Sequence, residues 1–392
     1  MPLLTVALTS LLAAAGSAPA TEPTIAPTLS ARAASIEPSR AQDATDDAEA
    51  PQTPEQVAAQ AAYRDYMHSL VQSLRDSASP RDRALATQMG FFVDYSDRSE
   101  PTPADRADRG ARLRAAAEAA PGDGLVQWFW ANASAEDSGC NANNPCPHRV
   151  DATLRSQPDN GAMWIPKLNI AWQANDIPAA ESALAQMASA THFDDQIGTA
   201  LKAWMDVYQR YPMPRSALAK DSPEAKLDDR ERNFGAAMGF AFATVTPAYQ
   251  TLVQACSREK HPDASPSRFR DCAQIGLLML MHSTSLISRL IGRAVLRVSG
   301  QATAADIANA RIVYWQHEHW LSLVSTRAAD EASDIKALAR DWLDTGDEAQ
   351  VMQRRLGRAG IPLTPLADWQ PHGRDGKPIS PLGEAPATSK QP

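Results

Sequence analysis

Apolar residues recur three and four positions apart along most of this chain, and proline, glycine and polar turns cut the runs in which they do so. From Pro54, the positions Val57, Ala61, Met67, Leu70, Val71 and Leu74 fall on one face of a 3.6-residue helix. Ser79-Pro80 opens a second helix, with proline in its first turn, where the missing amide costs nothing. A third is predicted over about 103–120 and stops at Pro121-Gly122-Asp123-Gly124. A helix over about 194–211 breaks at Tyr211-Pro212-Met213-Pro214. Residues 230–257 carry Phe234, Met238, Phe242, Val245, Tyr249 and Val253 at the same period, and Pro247 predicts a kink or interruption near Thr246. Residues 266–299 read as the longest apolar helix, because 275–281 hold no charge, and a central position is predicted for it. Ile307, Ala310, Tyr314, His317, Leu321 and Val324 form a packing seam. A helix over about 330–345 places Ile335, Leu338, Ala339 and Trp342 on one face and ends at Gly346, and a last one runs over about 347–360.

The predicted fold is therefore all-α, built of antiparallel helical hairpins. Two proline turns lie 37 residues apart: Ala119-Ala120-Pro121-Gly122-Asp123-Gly124 before Trp128, and Ser156-Gln157-Pro158-Asp159-Asn160-Gly161 before Trp164, Leu168 and Ala171. The second unit continues through Asn175-Asp176-Ile177-Pro178 to Ala179, Ala180, Ala183, Leu184 and Met187. Over about 112–190 this pattern resembles the tetratricopeptide-type repeat, although the spacing drifts from that family's period of about 34 residues. The resemblance implies a repeat array passing into a C-terminal helical bundle, and stacked units that leave an extended groove for a peptide. The expected organisation is a signal peptide over 1–20, a disordered tether over 21–53 and a repeat-like region over 54–211. A linker over 212–229, a bundle over 230–360 and an extended or disordered tail over 361–392 follow.

Composition sharpens the helical reading. The chain has 392 residues, 44% of them hydrophobic and only 6% aromatic, and alanine is frequent; alanine carries the smallest helix penalty. The net charge of -8 argues against nucleic-acid binding, which needs concentrated lysine and arginine. Residues 3–15 are apolar and Ala18-Pro19-Ala20 fits a small-residue cleavage site, so the N-terminus reads as a signal peptide, although no lysine or arginine precedes the apolar stretch. The stretch is too short to span a bilayer, and no transmembrane segment is expected in the mature chain. The four cysteines fall into local pairs, Cys140 with Cys146 and Cys256 with Cys272. Three connectivities are open; adjacency favours the local one, each bond closing a polar loop. Neither pair has the spacing of a zinc site. These features together predict a periplasmic or secreted protein.

Sequence fingerprints of catalysis are missing: there is no phosphate-binding loop, no nucleophile elbow, no H-E-x-x-H and no C-x-x-C. Ser333-Asp334-Ile335-Lys336 matches the S-x-x-K pattern of penicillin-binding proteins and serine β-lactamases, but the companion K-T-G is absent, and the residues read as a solvent-facing helical turn. His317-Glu318-His319 looks like a metal cluster, yet residues two apart on a helix point in nearly opposite directions. His317 reads first as a core histidine. No metal or cofactor is expected. His282, Ser283, Thr284, Ser285 and Ser288 interrupt an apolar run and must find partners or line a wet cavity. Arg289, Arg293 and Arg297, spaced four apart, share a face that suits an anionic group or solvent. The candidate binding residues are His282, Arg289, His317 and Glu318, meeting between adjacent helices. Trp128, Trp130, Trp164, Trp172 and Trp204 suit helix packing or a peptide groove. The leading expectation is a non-enzymatic scaffold that binds a protein or peptide partner in the cell envelope. The alternatives are an enzyme with a polar site near His282 and His317, and an inhibitor-type or structural protein.

Overall fold

The computed structural model describes residues 53–94, 101–133, 149–219, 225, 227–326, 331–373 and 377–383, and within these no side chain between 324 and 335. The expected signal peptide, nearly all of the expected tether, Cys140, Cys146 and the side chain of Ser333 lie outside the described residues.

The first four helices are set by their caps and by short polar turns. Helix α1 (Pro54–Arg75) begins with a capping box, Thr53 and Gln56 each bonding the other's backbone amide, and with proline at its start. Helix α2 (Pro80–Asp94) follows, and α3 (Pro103–Ala119) repeats the device with Thr102 and Asp105. The Pro121 turn ends α3, and Asp123 accepts the Leu125 and Val126 amides to start α4 (Gly124–Asn132). Each of these helices packs on the one before it. After the short α5 (Asp151–Ser156), a 3-10 turn over Gly161–Trp164 leads into α6 (Ile165–Gln173). Asn175, in a left-handed conformation, and Asp176, as cap, turn the chain into α7 (Ile177–Ala188), which folds back on α6.

Helix α8 (Ile197–Arg210) and α9 (Asp229–Val245), on either side of the 212–229 segment, pack against one another. Helix α9 ends at Val245, Thr246 before Pro247 is already extended, and α10 (Gln250–Ala255) follows, as the proline requires. Trp128 on α4 is fully buried and donates its indole N–H to the Val245 carbonyl at 3.0 Å.

The predicted single helix over 266–299 is instead two, α11 (Pro266–His282) and α12 (Leu286–Ser299), joined by three residues. Ser283 leaves the helical region at φ -86° and ψ 143°. Ser285 then accepts the Ser288 amide and caps the new helix. The two helices lie antiparallel and cross at glycines: a Cβ on Gly276 would sit 2.9 Å from the Gly292 carbonyl oxygen. Gly276 is thus a contact point rather than a gap in an apolar face.

Helix α13 (Ala304–Thr326) corrects the predicted seam. Ile307 is exposed, and the buried side chains are Asp306, Ala310, Val313, Trp315, Gln316 and Trp320. Trp315 and Gln316 are covered by the tail, to whose Pro362 and Leu363 carbonyls they donate at 2.7 and 2.9 Å. Arg311 bonds the carbonyls of Leu366, Ala367 and Trp369. Helices α14 (Glu331–Thr345) and α15 (Glu348–Arg358) form the last hairpin.

Among the described residues the protein is all-α, with fifteen α-helices and only isolated β-bridges. One buried apolar cluster extends from Met67 to Leu356 and includes Trp128, Phe193, Trp204, Tyr208 and Phe234. A smaller one joins Leu280, Leu296, Ala310, Val313 and Leu382. Cys256 and Cys272 form a disulfide, both fully buried, linking the end of α10 to α11. No described helix is long and apolar enough to cross a membrane.

Candidate functional site

Two adjoining clefts of about 380 Å³ each share Arg81, Asp82, Asp206 and Arg210 and form one groove. It runs between α2 and α8 from Thr199 and Lys202 to Asp123 in the Pro121 turn. Proline at the start of α2 places Arg81 and Asp82 in the first helical turn. The helical period of α8 puts Thr199, Lys202, Asp206 and Arg210 along one face.

The back of the groove is a forked ion pair. Arg210 Nη1 and Nη2 donate to the two oxygens of Asp82, each at 2.8 Å, and Ser77 Oγ donates to the same carboxylate at 2.8 Å. Burial pushes the Asp82 carboxyl up. The hydrogen bonds from Arg210 and Ser77 and the charges of Arg210 and Arg81 outweigh it, so the group ends below the usual aspartate value. Arg210 is raised in turn, chiefly by its bond to Asp82. At the rim, Arg81 Nε donates to Asp123 at 2.6 Å and Arg210 Nε to Asp206 at 3.0 Å. Lys202 makes no ion pair among the described residues, so its ammonium is available at one end of the groove. No histidine, cysteine or tyrosine lines either cleft. Such a lining presents charge of both signs to a ligand.

A second polar centre is buried where four segments meet. Residues 191–195 form a strap: His192 bridges Asn160, and Phe193 bridges Ser283. Buried Asn160 holds it, accepting the Asp194 amide at 2.9 Å and donating to the Asp194 carbonyl at 2.8 Å. Asp195 is fully buried. Its Oδ2 accepts hydroxyl protons from Ser285, from Ser288 at 2.7 Å and from Tyr249 at 3.4 Å. Its Oδ1 is buried without a hydrogen bond. Burial raises the Asp195 carboxyl to about 6, against the pull of Ser285 and Ser288; the charge of Asp194 adds to the rise and the Ile197 amide opposes it. Glu348, capped onto the same helix, accepts the Leu286 amide at 2.7 Å and is raised to about 7 by burial first, then by Asp195 and Asp347. The Leu286 amide and Arg289 pull it down. The serines read from sequence as needing partners therefore have them.

The four candidate binding residues occupy different surroundings. His282 is exposed at the end of α11. Arg289 is half-buried on α12, donates Nε to the Ser283 carbonyl at 3.1 Å and faces Asp347 and Glu348. His317 is half-buried on α13, and burial followed by the charge of Arg293 lowers its imidazole to about 4, which keeps it neutral near pH 7. Glu318 is half-buried, with Oε2 enclosed and without a hydrogen bond. Arg293 stacks over the Tyr314 ring at 4.6 Å, and Arg297 reaches the Leu382 carbonyl at 3.4 Å. His319 is half-buried against Trp315, with ring centroids 3.7 Å apart. Among the described residues no group of three or more His, Cys, Asp or Glu side chains is placed to hold a metal ion.

Sequence reasoning missed the groove and Asp195. The only signals were charged side chains in the first turn of α2 and at i, i+4, i+8 on α8, a pattern shared by any solvated helix face. The chain matches no protein family, no curated protein and no solved structure.

Proposed function

We propose that this chain is an exported, non-enzymatic helical scaffold that takes a peptide segment of mixed charge, presented by a protein partner, into the groove between α2 and α8. The observation that carries this reading is the lining of the groove. A free ammonium at Lys202 stands at one end, Asp123 and Asp206 supply negative charge, and the Asp82–Arg210 fork fixes the floor between them. Recognition of this kind is set by charge complementarity and weakens as salt screens it. The tetratricopeptide-like turns at Pro121 and Pro158 support the same use, because helical-hairpin arrays present grooves to extended peptides. The Cys256–Cys272 disulfide and the apolar leader support export to an oxidising compartment.

The test is affinity capture from the native envelope fraction with the wild-type chain and with Lys202→Glu and Arg81→Glu, at low and high salt. A partner retained by the wild type at low salt and lost about tenfold by either reversal, with unchanged helix content, is the expected result. Capture of the same proteins by wild type and both variants, or of none, would overturn the reading.

A further inference from the structure

Two carboxylates from different segments close on the first turn of α12. Asp195, from the strap, accepts the hydroxyls of Ser285 and Ser288, and Glu348, from α15, accepts the amide of Leu286. The Glu348 amide returns a bond to the Thr284 carbonyl at 2.9 Å, and Thr284 Oγ1 donates to Asp194 at 3.3 Å. The start of α15 also rests on α8, where a Cβ on Gly198 would lie 2.5 Å from the Gly346 carbonyl oxygen. A helix N-terminus welcomes negative charge, but this one receives too much of it. The titratable groups that act on the pair are Asp194, Asp347 and Tyr249, with Arg289 the one cation among them. Asp195 Oδ1 is buried without a hydrogen bond, so the hydroxyls on Oδ2 and the Ile197 amide offset the burial of a charge only in part.

We propose that this junction is an acid-tightened clamp: with Asp195 and Glu348 protonated, the strap, α12 and α15 are locked together, and ionisation of both loosens α15 from the other two. The elevated values of about 6 for Asp195 and about 7 for Glu348 set the range. For carboxyls raised on folding, the stabilisation is complete below their unfolded values near 4 and is lost as pH rises through the folded ones. The window is therefore about pH 4 to 7. Lys202 of the groove lies on α8 one turn beyond Gly198 and approaches Gly346, so the clamp adjoins the groove, although its behaviour does not depend on what the groove binds.

Amide hydrogen exchange of the full chain at pH 5.0 and 7.5, corrected for intrinsic rates, tests the clamp. In the wild type, protection over 284–288 and 346–349 should be about tenfold greater at pH 5.0. Asp195→Asn and Glu348→Gln, each of which imitates the protonated group, should keep high protection at both pH values. A His192→Gln/His282→Gln double variant, which removes the two exposed imidazoles on the same segments, should keep the wild-type difference. The proposal falls if wild-type protection is equal at the two pH values, if the His192/His282 variant abolishes the difference, or if Glu348→Gln retains it. Glu348 is half-buried whereas Asp195 is fully buried, so that last variant decides even where Asp195→Asn fails to fold.

Discussion

Asp82 and Asp195 are both enclosed aspartates, at 5% and 0% exposure, and they respond to pH with opposite sign. Asp82 faces a guanidinium and is lowered; Asp195 faces hydroxyls and further carboxylates and is raised. For a lowered carboxyl the stabilisation is present above the unfolded value and disappears as pH falls through the folded one. Asp82→Asn should therefore cost about 1–3 kcal/mol near pH 6.5, at the lower end because Arg210 is partly solvated. The cost should shrink as pH falls below the unfolded value near 4, read from urea midpoints at pH 6.5 and at successively lower pH. A deficit that is the same throughout would show that Asp82 acts through packing alone. None of this distinction was legible in the sequence. Asp82 meets Arg210 across 128 positions, and no local pattern pairs them. Of the predicted site residues, Arg289 does meet carboxylates, but Asp347 and Glu348 lie on a helix whose place in the fold the periodicity does not give.

Helices themselves were readable because period, caps and breakers agree. Thr53, Thr102 and Asp228 open capping boxes, and Pro247 interrupts α9 and α10 where a missing amide must. The break between α11 and α12 was not readable as a break. Apolar periodicity continues on both sides, and three small polar residues signal a turn only once the glycines are known to touch. Gly276 and Gly292 carry that contact, so Gly276→Ala should drive a Cβ into the Gly292 carbonyl and cost about 2–3 kcal/mol. Gly239, inside α9, has open space on the side where a Cβ would stand, with nothing beyond the helix's own neighbouring backbone within 4 Å. Gly239→Ala should stabilise by about 0.5–1 kcal/mol through helix propensity. Thermal unfolding of the two variants separates these effects by sign, and a Gly276→Ala chain as stable as wild type would mean that the helices do not cross there. The shifted face of α13 has a similar origin: Ile307 keeps the period but the tail covers the other side of the helix, bringing Trp315 and Gln316 inside.

At the scale of the molecule, two ties hold irregular segments to the helices. The Cys256–Cys272 bond spans 16 residues and fixes the loop whose His261 packs edge-on against Trp172 of α6. Beside it, Arg268 of α11 bonds Glu181 of α7 at 2.8 Å. Reduction should cost about 2–3 kcal/mol by freeing that loop in the unfolded chain, seen as a lower guanidinium midpoint without loss of helix. The tail is the second tie. Periodicity assigns it no helix, and its described residues carry none; they are held by the row of donors on α13. Trp315, Gln316 and Arg311 give their N–H groups to tail carbonyls, and Leu382 fills the small cluster with Leu280, Leu296, Ala310 and Val313. Truncation after Gly360 leaves these donors to water and opens that cluster. The main cluster ends at Leu356 and loses only the partly buried Ile361 packed against it, so the remaining chain should still fold, with its stability lowered by a few kcal/mol. Trp315, now 8% exposed, should become accessible to acrylamide, while Trp128 and Trp204 stay protected. A truncated chain with unchanged quenching would show that the tail does not cover α13, and one that fails to fold would show that the tail belongs to the main core rather than to its edge.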